Sequence, residues 1–114
     1  MKTFTLFRNS GRMAAANTLY PVMAVIRSRD SLREVLKYDH VAAKYRDDRR
    51  SEANFLYSDV VPMDCDNDHS DDPADWKTPA DVARCFPGVC YAYGFSRSNG
   101  LAKNGRAARP KFHV

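Results

Sequence analysis

FLYSDVVPMDCD, residues 55–66, is the stretch on which the fold turns. Aromatic and β-branched residues alternate with polar ones, so it reads as a strand from Phe55 to Asp66, with Pro62 implying an edge position or a bulge. Side chains of a strand alternate between faces, which puts the carboxylates of Asp64 and Asp66 on one side. From the rise of a strand they stand about 7 Å apart along the chain.

Working outward, VCYAYGFS (89–96) predicts a second strand and residues 110–114 begin a third. Residues 3–8 alternate and are rich in Phe and Thr, predicting a first strand closed by the turn residues Asn9-Ser10-Gly11. Residues 22–26, VMAVI, fit a short strand or a helical start. Asp30-Ser31 offers an N-cap for a helix over about 30–38, whose stripe is Leu32, Val35 and Leu36. Residues 39–45 continue that helix, with Val41, Ala42 and Tyr45 on a common face, before the charged run KYRDDRRSE. A further helix runs from Pro79 to Phe86, capped by Thr78 and stopped by Pro87-Gly88. Strands separated by helices argue for an α/β or α+β fold, a small mixed sheet covered by helices. At 114 residues the expectation is a single domain, 1–114.

A hydrophobic content of 44% places the chain among folded proteins. No stretch approaches the ~20 apolar residues of a membrane span, and the N-terminal residues lack the apolar core of a signal peptide, so the expectation is a cytoplasmic protein without membrane contact. Three cysteines, Cys65, Cys85 and Cys90, are odd in number and suit reduced, packed thiols better than a disulfide framework. Charge is segregated. Residues 1–50 carry eleven Lys/Arg against five acids, residues 51–81 one Lys against nine acids, and residues 82–114 six Lys/Arg and no acid. An acidic centre between basic flanks suits a protein that brings cations and polyanions together; a set of solvated faces is the plainer alternative.

Three chemistries compete for the acidic centre. Asp64 and Asp66 can share Mg²⁺ or Mn²⁺, the beginning of a two-metal phosphoryl-transfer site. Asp64, Asp66, Asp68 and Asp75 also fall at calcium-loop positions, but His69 stands where that loop needs glycine. The third reading is an acidic loop capping the helix after Thr78. Zinc is weaker, because Cys65, His69, Cys85, Cys90 and His113 contain no close ligand pair. In the basic C-terminal segment, Arg97, Lys103, Arg106, Arg109 and Lys111 are punctuated by Gly100 and Gly105, as in a loop that contacts phosphate. Lys111 and His113 share a strand face, with Phe112 pointing oppositely into the core. An ammonium and an imidazole near a metal-bound dicarboxylate suit a nucleoside triphosphate.

Taken together, DHVAAKYRDDRRSEANFLYSDVVPMDCDNDHSDDPADWKTPADVARCFPGVCYAYGFSRSN and ARPKFHV resemble the N-terminal primase-polymerase domain of the archaeo-eukaryotic primase superfamily, nearest the branch of phages and mobile elements in Gram-positive bacteria. The resemblance spans about residue 28 to the end. It implies part of a primase-polymerase catalytic core that performs metal-dependent, template-directed nucleotidyl transfer for primer synthesis in DNA replication. Asp64 and Asp66 would bind Mg²⁺ or Mn²⁺. His113 would contact the incoming triphosphate, with Lys111 standing where the pattern often has Ser. Arg109 and Arg97 are candidate phosphate contacts, and Lys103, Arg106, Arg49 and Arg50 candidate nucleic-acid contacts. The implied partners are a nucleoside triphosphate and a DNA or RNA template. The family's third metal carboxylate has no counterpart, since no acidic residue follows Asp81. Two expectations result: a fragment of a longer primase, inactive alone, or a small phage or mobile-element binding module that acts as decoy or inhibitor of a host nucleic-acid machine. An exposed C-terminal strand edge would also favour a protein partner or a homodimer.

Overall fold

The computed structural model describes residues 2–11 and 17–114. The chain divides at Val61/Pro62 into two compact units, Met1–Val61 and Pro62–Val114. The long strand expected over 55–66 is therefore two short ones. The first, Phe55–Ser58, ends where the Ser58 hydroxyl, 2.8 Å from the carbonyl oxygens of both Ala42 and Val60, turns the chain. Pro62, without an N–H, then interrupts any ladder before Asp64.

In the first unit, β1 (Phe4–Arg8) pairs antiparallel with β2 (Val22–Ile26) and with β3 (His40–Val41), in the order β2-β1-β3. Helix α1 (Arg29–Val35) follows β2. Leu6, Ile26 and Val35 form its core, with Phe4, Ala24, Leu32 and Ala42 packed around them. Phe7 points to the other face of β1 and is equally buried. Its ring meets Tyr57 edge-to-face at 6.2 Å, and the Lys44 ammonium lies 5.5 Å from its centre. Both partners come from a hairpin of β4 (Ala43–Tyr45) and β5 (Phe55–Ser58).

Two details of this unit differ from the sequence expectation. The N-cap of α1 is Ser28 rather than Asp30 or Ser31: the Ser28 hydroxyl accepts from the Ser31 N–H at 3.1 Å while the Ser31 hydroxyl accepts from the Ser28 N–H at 3.0 Å, a reciprocal box. Residues 39–45 are not helical. His40 and Val41 pair with Arg8 and Phe7, and Ala43 and Lys44 with Ser58 and Tyr57, so strand partners distant in sequence override the helical spacing of Val41, Ala42 and Tyr45.

In the second unit, β6 (Asp64–Cys65), β8 (Phe112–His113) and β7 (Gly94–Phe95) form an antiparallel sheet in the order β6-β8-β7. Reciprocal backbone bonds between Met63 and Val114, at 2.8 and 2.9 Å, extend it. Of the strand expected over 89–96, only Gly94 and Phe95 enter the ladder. Helix α2 (Pro79–Cys85) starts as the sequence predicts, with Pro79 in its first turn and the Asp81 carboxylate accepting from the Thr78 N–H at 2.7 Å. Its Val82 is buried, as is Phe112.

The architecture is α+β. In place of one mixed sheet covered by helices, the described strands make three small sheets whose pairings are all antiparallel. Among the described residues no helix is long and apolar enough to cross a membrane.

Candidate functional site

The two sequence motifs meet in the second unit. Asp64 stands directly opposite His113, and Cys65 opposite Phe112; on the other side of β8, Gly94 is opposite His113 and Phe95 opposite Phe112. Facing residues of an antiparallel sheet project from the same side. One face therefore carries Asp64, His113 and Gly94, and the other Cys65, Phe112 and Phe95. Phe112 is fully buried, so its face is the core side and the Asp64/His113 face looks outward. The Asp64 Oδ1 and His113 Nδ1 lie 2.5 Å apart. That contact orients the imidazole and leaves Nε2 as its remaining polar atom.

Beyond β6, Asn67 adopts φ +56° and is almost wholly buried. Its side-chain amide donates to the carbonyls of Lys77 (2.9 Å) and Pro110 (2.8 Å), and its side-chain oxygen accepts from the Lys77 N–H at 2.6 Å. Asn67 thus ties both ends of the acidic loop to the strand that ends in His113. Arg109 completes the tie from the other side. Its guanidinium donates to the carbonyls of Asn67 and Ser70 (2.9 Å each) and Ala107 (3.2 Å), pairs with Asp71 at 2.8 Å, and lies 5.3 Å from the centre of the Trp76 ring. With 2% of its surface exposed, Arg109 is a fastener of the loop.

The remaining cations cluster on the outward side. Lys111, 8% exposed, reaches Asp68 at 3.2 Å, and Arg106 reaches Asp68 at 3.4 Å and Asp71 at 3.7 Å. Lys103 and Arg106 flank a tight hairpin whose central Asn104 and Gly105 both have positive φ, the backbone that an Asn-Gly pair tolerates best. A cavity of about 130 Å³ opens among Asp66, Asp68, Ser98, Lys103, Arg106 and Lys111, with Arg109 in its wall. Four cations against two acids leave its lining positive. The Asp68 carboxyl titrates below the ordinary carboxylate range, chiefly because Lys111 donates to it, and Asp71 does likewise because of Arg109.

Other candidates lie elsewhere. Arg97 opens the turn after β7, outside the cavity lining. Arg49 and Arg50 belong to the first unit, where the Arg50 N–H donates to the Thr18 carbonyl at 2.8 Å and the Arg49 guanidinium reaches the Thr18 hydroxyl at 3.5 Å. The calcium-loop carboxylates turn to separate partners: Asp64 to His113, Asp68 to Lys111, and Asp75 to the Ser70 hydroxyl. Cys65, Cys85 and Cys90 are free thiols.

Asp64 and Asp66 offer hard oxygen donors, the right kind for Mg²⁺ or Mn²⁺. Among the described residues, no three His, Cys, Asp or Glu side chains converge as a metal group. Two carboxylates fit an ion of the Mg²⁺ type that takes its other ligands from phosphate oxygens and water. Sequence reasoning missed Asn67 and Trp76; the only cue was an Asn directly after the carboxylate pair, a residue type that enters left-handed backbone readily. Compared with known proteins, the chain matches no family model, and no curated protein and no solved structure is significantly similar to it.

Proposed function

We propose that the second unit is the nucleotide-binding part of a primase-polymerase-like core, with a nucleoside triphosphate as ligand and Mg²⁺ or Mn²⁺ as its companion ion. The observation that carries this reading is the register of Asp64 opposite His113, 49 residues apart in sequence and 2.5 Å apart in space. A carboxylate for a metal and an imidazole for a phosphate then lie side by side, and the positive cavity that includes Asp66 supplies charge for the rest of the polyphosphate.

On this reading, His113 donates from Nε2 to a phosphate oxygen while Asp64 fixes its ring. Lys103, Arg106 and Lys111 neutralise the phosphates, Lys111 and Arg106 sharing themselves between ligand and Asp68. Gly94, opposite His113 on its second side, adds no side chain to that row. Asp64 and Asp66 would hold the ion, which would supply positive charge against the negative charge of the polyphosphate. No acidic residue follows Asp81, so a third carboxylate does not come from residues 82–114, and the reading commits to binding rather than turnover.

The test is titration of the chain with a fluorescent ATP analogue, with and without Mn²⁺. Binding should strengthen with the metal, and Asp64→Ala and His113→Ala should each weaken it at least about tenfold, the scale of one lost charge-assisted contact. Unchanged affinity in both variants, or no binding at millimolar nucleotide, would refute the assignment.

A further inference from the structure

The C-terminal strand β8, where the sequence leads one to expect an open edge, lies inside its sheet between β6 and β7, so an edge falls on β7 instead. The Ser96 N–H donates to the Lys111 carbonyl at 2.9 Å, continuing the register that sets Gly94 opposite His113. Backbone groups of an antiparallel strand alternate in direction. Those of Gly94 and Ser96 therefore face β8, while those of Phe95, and of Tyr93 before it, face away. Among the described residues no backbone hydrogen bond reaches Tyr93 or Phe95 from that outer side. Exposure follows the same parity: Tyr91, Tyr93 and Phe95 are exposed, and Ala92, Gly94 and Ser96 half-buried. The rings lie on the side of Phe112, which Phe95 meets edge-to-face at 6.5 Å, and Tyr93 meets Phe95 at 6.0 Å. They remain 37%, 48% and 59% exposed because no described strand continues that core beyond β7.

Exposed edges are ordinarily guarded by a charge, a proline or a bulge. Residues 88–96, GVCYAYGFS, hold no charge and no proline, and the β7–β8 register runs without a shift. Such an edge gives a charged peptide no countercharge, but it is its own complement. With Tyr93 on a two-fold axis and the strands antiparallel, Tyr91 faces the partner's Phe95 and Tyr93 faces the partner's Tyr93. Every ring then meets a ring, and each outward N–H meets an outward carbonyl. Ala92 and Gly94, on the opposite face, are too small to obstruct the approach. Arg97 falls opposite the partner's Val89, whereas parallel pairing in register would set two arginines side by side. A two-fold contact uses one patch twice and closes, so both edges are removed at once.

We infer that the β7 edge is a docking surface for a second copy of this chain, through antiparallel pairing of residues 91–95 with the same segment of the partner. The pairing joins two three-stranded sheets into one of six strands and carries the Phe112 core across the axis. It uses neither Asp64 nor His113, whose side chains stand on the other face.

Sedimentation velocity of the 114-residue chain from about 1 to 300 μM should show monomer giving way to dimer, since a contact of one strand pair belongs to the small, weak class of interfaces. Tyr93→Lys sets two ammonium groups against each other on the axis and should raise the dissociation constant at least about tenfold. Tyr93→Pro also removes an N–H that β8 leaves unused, one in each copy, and should weaken the dimer about fivefold or more beyond Tyr93→Ala. A thermal melt checks that each variant folds. In the unsubstituted chain, hydrogen exchange at the Tyr93 and Phe95 amides should slow as concentration rises. A monomer throughout that range, or a dimer that Tyr93→Lys and Tyr93→Pro both leave intact, overturns the pairing. Concentration-dependent protection at another strand edge, in place of Tyr93 and Phe95, overturns it too.

Discussion

Replacing Arg109 with methionine removes the fastener of the acidic loop while keeping most of its apolar stem. The side chain makes three bonds to carbonyls and one to Asp71. A bond to a charged group contributes about 1.5–3 kcal/mol, but the exposed Asp71 recovers water when released. The carbonyl of the buried Asn67 is the acceptor left in want of a partner, costing about 1–3 kcal/mol. A net loss of about 2–4 kcal/mol follows, a large part of a typical small domain's 5–15 kcal/mol. Urea unfolding followed by the fluorescence of Trp76, the only tryptophan and a neighbour of Arg109, measures it directly. Arg109→Lys is the decisive partner variant. Lysine keeps the charge but lacks the planar fork that reaches Asn67, Ser70 and Asp71 together, so it should remain within about 1 kcal/mol of the methionine variant. A lysine variant as stable as the wild type would show that charge alone suffices and would refute the fastening geometry. Stability unchanged in both, with nucleotide affinity lost, would return Arg109 to the phosphate role its sequence context suggests.

Asn67→Ala should destabilise the second unit by about 1 kcal/mol more than Asn67→Gly in the same urea assay, because both lose the three side-chain bonds but only alanine bears the cost of positive φ. Acid should weaken this unit through Asp81 and Asp71, held low chiefly by the Thr78 N–H and by Arg109 respectively. A carboxyl with a depressed folded pKa gives stability that is complete above its unfolded value and is lost as pH falls through the folded one. Asp81→Asn should therefore flatten the acid limb of the stability curve below the ordinary carboxylate range. Thiol labelling near neutral pH should modify the exposed Cys85 and Cys90 before Cys65, whose thiol is pushed up by burial and then by Asp64 and Asp66; mass spectrometry after partial labelling reads the order.

Local chemistry made much of this fold legible. The Phe4–Arg8 strand, the helix after Thr78-Pro79 and the opposite directions of Phe112 and His113 all follow from alternation and capping, which act within a few residues. What sequence reading lost was set by distant partners. Residues 39–45 carry helical spacing yet become strands because Phe7, Arg8, Tyr57 and Ser58 offer them ladders. The 55–66 stretch looks continuous because its alternation ignores Pro62. In the candidate site, the facing of Asp64 and His113 could be expected from two strands of like pattern. The fate of Arg109 could not, since nothing local distinguishes a cation that meets three carbonyls from one that meets solvent.

The loop between Asn67 and Lys77 is gripped mainly by its main chain. Asn67 and Arg109 bond to the carbonyls of Asn67, Ser70, Lys77, Ala107 and Pro110 and to the Lys77 N–H, and only Asp71 contributes a side chain to the Arg109 grip. Carbonyls are the same whatever residue bears them. A position such as Ala74 is therefore free to drift in evolution, or to be rewritten by design, while the loop keeps its path beside the His113 strand.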